Sequence, residues 1–177
     1  MRVTRKTAKP VILMTSLVAV IFTGCGHNDG PSDYERMVQA KRDAADSLAG
    51  AGAKVHEKQY PIGKGWVVEL RGATVTDGLL KQVKQLGNIA ELDLSRSTLT
   101  DEHIAVMREI DLQVVLTRLD LSDTGLTDAG LAKLTGCIFL SELNLTGTKV
   151  TPAAVAKFKK DRQTDPKAKI KNTQVRL

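Results

Sequence analysis

One short pattern recurs four times in this chain, and it constrains the fold more than any other feature. Two aliphatic residues flank a single polar residue, a turn follows, and a stretch with apolar residues at helical spacing completes the unit. Successive units start 24, 27 and 24 residues apart, at Val68-Glu69-Leu70, Leu92-Asp93-Leu94, Leu119-Asp120-Leu121 and Leu143-Asn144-Leu145. A regular period of this length indicates stacked repeats, each burying its apolar face against its neighbours.

Each unit predicts a short strand followed by a helix. In the Leu-x-Leu segment, the two aliphatic side chains face one side and the middle side chain faces the other. Threonine is one of the residues favoured at the N-cap of a helix. A threonine directly precedes each helical stretch: Thr76, Thr100, Thr127 and Thr151. An acidic residue suits the first helical turn and proline suits the first helical position, which fits Asp77, Asp101, Asp128 and Pro152. The predicted helices span residues 77–86, 101–110, 128–135 and 152–160.

The turn between strand and helix carries a hydroxyl side chain at one fixed place. Ser97, Thr124 and Thr148 occupy it in the last three units. Such side chains can satisfy backbone groups of a turn. Ala73 stands at the same place in the first unit and cannot do so, which makes that unit atypical.

Residues 33–65 are interpreted as an N-terminal cap for the stack. Ser32 and Glu35 have the spacing of a capping box, which predicts a helix over residues 33–49. Strands are predicted at 54–60 and 66–70, with a proline- and glycine-containing turn between them. A helix plus a hairpin would cover the open edge of the first repeat. Trp66, the single tryptophan, is interpreted as packing against this cap rather than stacking on a ligand.

The fullest copies of the unit, Ile89 to Leu99 and Leu116 to Leu126, resemble the leucine-rich repeat. The resemblance covers residues 66–158. We assign residues 66–160 to the repeat region, which includes the end of the last predicted helix. It implies an α/β fold, a short solenoid with parallel strands on a concave face and helices on a convex face. The recurrent Leu/Val-Thr-Asp step is similar to that of small bacterial leucine-rich-repeat lipoproteins of the long, helix-bearing class.

Residues 1–24 are interpreted as an export signal. Basic residues precede the apolar run 11–22, which is shorter than the roughly 20 residues that span a bilayer. Phe22-Thr23-Gly24-Cys25 resembles a lipobox, which implies lipidation of Cys25 and an exported lipoprotein of the cell membrane or outer membrane. Residues 25–32 form a flexible linker. The alternatives are an ordinary signal peptide with a chance cysteine and an uncut anchor.

Charge is unevenly distributed along the chain. The net charge is +6, but Arg2, Arg5, Lys6 and Lys9 contribute +4 and the stretch from Lys157 onward, with eight basic and two acidic residues, contributes +6, which leaves −4 for residues 10–156. The repeats are therefore mildly acidic, and no global positive field favours a nucleic-acid partner. The basic segment 161–177 is expected to cap the stack with a last strand near residues 167–172 in which Ile170 faces inward. Alternatively, it contacts an anionic membrane or cell-wall polymer.

No catalytic or metal-binding pattern is present in the sequence. His27, His56 and His103 lack a partner at metal-ligand spacing. Cys137 occupies an apolar place in its repeat, so a buried thiol is favoured over a nucleophile. We therefore expect no catalytic residues, no metal and no cofactor.

A function is expected instead on the outward side of the strands. The side chains that should project there form a polar, mainly acidic surface: Glu69, Arg71, Glu91, Asp93, Arg118, Asp120, Ser122, Glu142, Asn144 and Thr146. The alternative is a solvated strand face. The expected function is a non-catalytic protein-interaction module at the bacterial envelope, with an unknown protein or glycan at the concave face and the membrane reached through the lipid. The alternative function is a structural envelope protein that uses its basic tail.

Overall fold

The computed structural model describes residues 30–61, 63–112 and 115–177, so the predicted signal peptide, Cys25 and most of the linker lie outside it. Residues 31–177 form one compact unit. Helices and strands alternate along it: α1 Asp33–Gly50, β1 Lys54–Tyr60, β2 Gly63–Glu69, α2 Asp77–Gln85, β3 Ile89–Asp93, α3 Asp101–Glu109, β4 Arg118–Asp120, α4 Asp128–Lys133, β5 Glu142–Asn144, α5 Pro152–Thr164 and β6 Gln174–Arg176. None of the described helices is long and apolar enough to cross a bilayer.

The six strands form one sheet in chain order, from β1 to β6. The hairpin of β1 and β2 is antiparallel, and every later neighbour pairs in parallel. The register aligns Leu92 with Leu119 and Leu119 with Leu143. This arrangement confirms the predicted α/β fold, in which parallel repeat strands follow an N-terminal helix and hairpin.

The core is a ladder of aliphatic side chains between the sheet and the helices. Leu92, Leu119 and Leu143 are each at most 1% exposed, and stacking identical repeats places them in contact. Leu99 and Leu126 are fully buried beneath the turns. Aliphatic side chains of one size suit such thin layers, which explains how a chain with only 3% aromatic residues forms a continuous core.

The predicted helix starts and turns are confirmed at the level of individual hydrogen bonds. The Thr76 and Thr151 hydroxyls accept from the amides of Leu79 and Ala154, both at 3.2 Å. In the turns, the hydroxyls of Ser97, Thr124 and Thr148 donate to Leu94, Leu121 and Leu145 carbonyls at 2.6, 2.7 and 2.7 Å. Each hydroxyl therefore satisfies a carbonyl that the strand ladder leaves open.

The predicted last strand is wrong in position. It lies at Gln174–Arg176 instead of 167–172, because residues up to Thr173 are used to cross the end of the stack. The Thr173 hydroxyl donates to the Leu140 carbonyl at 2.8 Å, and Val175, rather than Ile170, pairs with Leu143. The strand that was expected to add to the sheet is present, with its inward-facing residue five positions later.

Three further boundaries differ from the prediction by two residues or more. Strand β2 begins at Gly63 rather than 66, because its first residues pair with the end of β1. Helix α4 ends at Lys133 and continues as a 3-10 turn, Leu134–Gly136. Helix α5 runs to Thr164 rather than 160, because Arg162 in its last turn is buried and anchored.

Candidate functional site

The concave face is the side of the sheet that carries the middle residues of the Leu-x-Leu segments. It forms a groove of about 640 Å³. Eight of the ten predicted residues line that groove: Glu69, Arg71, Glu91, Asp93, Arg118, Asp120, Glu142 and Asn144. Ser122 and Thr146 lie just beyond the ends of β4 and β5. The repeat register thus brings eight of the ten positions to the groove, and the hydroxyls of Ser122 and Thr146 donate to Asp120 and Asn144.

A row of ion pairs runs across three neighbouring strands of this face. Residues Glu91, Arg118 and Glu142 are cross-strand partners. Arg118 donates from Nε and one terminal nitrogen to the two oxygens of Glu142, both at 2.9 Å. Its other terminal nitrogen donates to Glu91 at 3.3 Å. Because two carboxylates bind the planar guanidinium of Arg118, both its position and its orientation are fixed.

The N-terminal hairpin extends this row. Lys58 Nζ and the Tyr60 hydroxyl both donate to Oε1 of Glu91, at 2.7 Å each. Burial and the adjacent Glu91 carboxylate raise the pKa of Tyr60 well above its ordinary value. Burial alone would raise the pKa of Glu91, but the hydrogen bonds from Lys58 and Tyr60 and the charge of Arg118 outweigh it, so the pKa falls. Glu91 therefore stays ionised at neutral pH.

A second row of hydrogen bonds lies at the carboxyl ends of strands β3 and β4. The Asp93 carboxylate accepts from the Ser95 amide at 2.9 Å and from Arg71 Nε at 2.6 Å. Asp120 accepts from the amide and hydroxyl of Ser122 at 2.9 and 2.6 Å. A side chain that accepts from the backbone two residues later forms an Asx turn. Asp93 and Asp120 therefore fix the backbone conformation at the strand ends and also give the concave face negative charge.

The same turn recurs in the fourth unit and links it to the third. Asn144 Oδ1 accepts from the amide and the hydroxyl of Thr146 at 3.2 and 2.8 Å. Its Nδ2 donates to the second oxygen of Asp120 at 3.0 Å. Burial alone would raise the pKa of Asp120, but the hydrogen bonds from Ser122 and Asn144 and the charge of Arg71 outweigh it, so the pKa falls. An asparagine suits this place because it can both accept and donate.

Sequence reasoning missed four residues of this site. Lys58 and Tyr60 reach Glu91 from the hairpin, whereas Gln174 and Arg176 of β6 line the groove. A signal for the latter pair was present, because Val175-Arg176-Leu177 repeats the aliphatic-polar-aliphatic pattern of the four units. No such signal marked the hairpin residues.

The other residues with possible chemistry are placed away from this face. Cys137 is fully buried, and burial raises the pKa of its thiol to about 12, which makes it unreactive as a nucleophile. His103 caps helix α3, where its Nδ1 accepts from the Thr100 amide at 3.1 Å. Trp66 packs against the core. Within the three described ranges, no group of His, Cys, Asp or Glu side chains is arranged to hold a metal ion.

Comparison with known proteins supports the repeat assignment for one unit. A family model described as a leucine rich repeat matches residues 115–134, which hold β4, its turn and the whole of α4. No curated protein matches the chain. Residues 115–134 are thus a leucine-rich repeat within a small α/β protein.

Proposed function

We propose that this chain is a non-catalytic docking module of the bacterial envelope, whose concave face binds a protein partner and whose lipidated Cys25 holds it at the membrane. One observation carries the docking assignment: the charged side chains of the concave face are ordered before any partner arrives. Binding to a surface whose side chains are already fixed forfeits little conformational entropy. A leucine-rich repeat at residues 115–134 is consistent with protein binding.

The groove also defines what kind of contact it can make. Five carboxylates and three arginines line it, so its net charge is −2. Most of these charges already have partners within the face, which leaves Glu69 and Arg176, at its two ends, the better placed to select a partner. Glu69 is 3.9 Å from Lys54, and the described residues provide no ion pair for the exposed Arg176. Such a surface suits a modest contact rather than a tight one.

A charge exchange on the concave face tests the docking proposal. The double variant Glu69→Lys/Arg176→Glu keeps the net charge and leaves the hydrogen bonds of both rows in place; the one ion pair that it removes among the described residues is the exposed contact of Glu69 with Lys54. A matched control is Lys81→Glu/Glu102→Lys, which exchanges charges at two exposed positions of helices α2 and α3. Each folded variant is crosslinked in intact cells, and the attached molecules are identified by mass spectrometry.

The expected result is a protein partner that is captured by the wild type and the control but lost from the concave variant. Capture that is unchanged in the concave variant contradicts docking at this face. A captured polysaccharide instead of a protein favours the glycan alternative.

Fatty-acid labelling tests the anchor separately. The proposal rests on the lipobox resemblance of Phe22-Thr23-Gly24-Cys25. Labelling of the wild type and its loss in Cys25→Ala are expected, since the cysteine thiol would carry the lipid. Labelling that survives this substitution shows that the assignment of Cys25 is wrong, whatever the concave face binds.

A further inference from the structure

The end of the repeat stack carries a dense set of exposed lysines. We define the terminal layer as residues 157–171, the second half of helix α5 and the segment that crosses toward β6. It contains seven basic and two acidic residues, a net charge of +5. Five of its lysines are exposed and not in an ion pair among the described residues: Lys159, Lys160, Lys167, Lys169 and Lys171. Both acidic side chains are occupied, since Asp161 accepts from Lys157 Nζ at 2.7 Å and Asp165 from the Lys167 amide at 2.8 Å.

These lysines are mounted on a fixed scaffold. The amides of Lys169 and Ile170 both donate to the Ile138 carbonyl, at 2.9 and 3.2 Å. The guanidinium of Arg162 donates to the carbonyls of Cys137 at 2.7 Å and Ile170 at 2.9 Å, which ties the layer to the preceding repeat from beneath. The positive charges are therefore held in one layer of the fold, not spread along a free tail.

The arginine and aromatic side chains of the terminal layer, which could recognise a specific ligand by forked hydrogen bonds or stacking, are buried. Its arginine, Arg162, is 1% exposed, and its aromatic residue, Phe158, is 3% exposed. The outward charged groups that lack an ion pair among the described residues are lysines, which act as hydrated point charges on flexible stems and do not form planar, bidentate contacts; the exposed polar side chains beside them are Gln163 and Thr164. Bases or sugars of a specific polymer are commonly held by stacking and forked hydrogen bonds, which this layer does not offer outward. A fluid sheet of anionic headgroups can rearrange around point charges.

We propose that the terminal layer is a docking surface for an anionic phospholipid bilayer. Each lysine near such a surface contributes independently through the surface potential, and the contribution decays over a Debye length. This surface goes beyond the proposed function, because it involves neither the concave face nor Cys25. Either proposal can fail without the other.

The test measures vesicle binding by the full chain carrying Cys25→Ala, so that no acyl chain contributes. Co-sedimentation is measured with phosphatidylcholine vesicles containing phosphatidylglycerol and with pure phosphatidylcholine vesicles, which report binding that does not depend on anionic headgroups. The test variant is Lys159→Gln/Lys167→Gln/Lys169→Gln. The control, Arg42→Gln/Lys81→Gln/Arg108→Gln, removes the same charge from exposed positions of helices α1, α2 and α3. Circular dichroism confirms that both variants are folded.

The expected result is binding that requires phosphatidylglycerol and weakens roughly 100-fold in the test variant at low ionic strength. The control should lose far less. Equal losses in the two variants would mean that net charge alone acts, which overturns a localised surface. No dependence on phosphatidylglycerol also overturns the proposal, and binding to soluble polyphosphate without binding to the vesicles assigns the layer to a polymer instead.

Discussion

The carboxylate of Asp101 accepts hydrogen bonds from both the amide and the hydroxyl of Thr127, at 2.9 and 2.5 Å. The first residue of helix α3 thus holds the N-cap of helix α4 in the next repeat. Asp128 repeats the arrangement with Thr151, at 2.7 and 2.9 Å. The aspartates that open the helices therefore join successive repeats as well as favouring the positive helix ends.

Removing one such link should destabilise the stack more than removing an aspartate that makes none. Asp101→Ala is expected to lower the free energy of unfolding by about 2 kcal/mol, because two hydrogen bonds to a charged, half-buried group are lost. Asp77 holds the same place in α2, and its carboxylate has no hydrogen-bond partner among the described residues. Asp77→Ala should therefore cost only the helix-dipole contribution, about 0.3–1 kcal/mol.

Urea denaturation of the two variants checks this prediction. Equal losses of stability would show that both aspartates act through the helix dipole alone, and that the Asp101–Thr127 contact adds nothing measurable.

Because Gly130 has no side chain, there is room for the Asp101 carboxylate to bind Thr127. A Cβ there would meet Leu126 Cδ1 at 2.5 Å and come closer still to the Asp101 carboxylate. Although alanine is the better helix former, Gly130→Ala should destabilise the protein by about 1–3 kcal/mol through overpacking. Gly78 in α2 is the matched control, since its nearest neighbour would be Thr76 Oγ1 at 3.8 Å.

Gly78→Ala is expected to stabilise the protein by about 0.4–1 kcal/mol. Thermal unfolding of both variants gives the comparison. A stabilising effect at both glycines would mean that the Asp101 side chain moves aside freely.

The sheet could be predicted from sequence because burial fixes its register. A slip of one residue would turn Leu92, Leu119 and Leu143 to the solvent side, so the Leu-x-Leu pattern determines which residues pair and which face the groove. The same logic placed the concave residues of β3, β4 and β5 on one side. The sequence could not show that Tyr60 reaches Glu91, because that contact depends on how the hairpin lies against β3.

The contacts between repeats were harder to predict than the repeats themselves. Asp101 and Thr127 are 26 residues apart. The role of each residue at the start of its own helix already explains its presence, so nothing in the sequence indicated that the two are in contact. The end of the stack was misplaced for a similar reason. Arg162 lies among lysines in the sequence and looks solvated, whereas in the fold its two terminal nitrogens donate to three carbonyls and its Nε is buried without a hydrogen-bond partner.

Arg162 should be the charged residue whose replacement costs the most stability. Its guanidinium donates to the carbonyls of Cys137, Leu140 and Ile170, and burial lowers its pKa. Arg162→Ala leaves these carbonyls without their donor and opens a cavity beside Phe158. Because each buried carbonyl that loses its donor costs about 1–3 kcal/mol, a loss of about 3 kcal/mol or more is expected, with faster hydrogen exchange at the amides of β6.

Arg108 provides the control for this prediction. It is exposed in the last turn of α3, so Arg108→Ala should change the free energy of unfolding by less than about 0.5 kcal/mol. If Arg162→Ala leaves exchange in β6 unchanged, the arginine does not hold the terminal layer.

Acid should weaken the protein through the carboxylates of the concave face. Hydrogen bonds from Ser122 and Asn144 outweigh burial and lower the pKa of Asp120, and the hydrogen bond from Arg118 lowers the pKa of Glu142. A carboxyl group whose pKa is lower in the folded than in the unfolded state stabilises the fold above its unfolded pKa, about 3.9 for Asp. That contribution is lost as the pH falls through the folded pKa.

Asp120→Asn isolates one part of this acid dependence. The amide oxygen can still accept from the Ser122 backbone, but the side chain can no longer gain a proton. The variant should therefore be less stable than the wild type near neutral pH, and the difference should shrink as the pH falls below roughly 4. Urea denaturation across this range measures the difference. A difference that stays constant down to about pH 3 would show that protonation of Asp120 is not linked to unfolding.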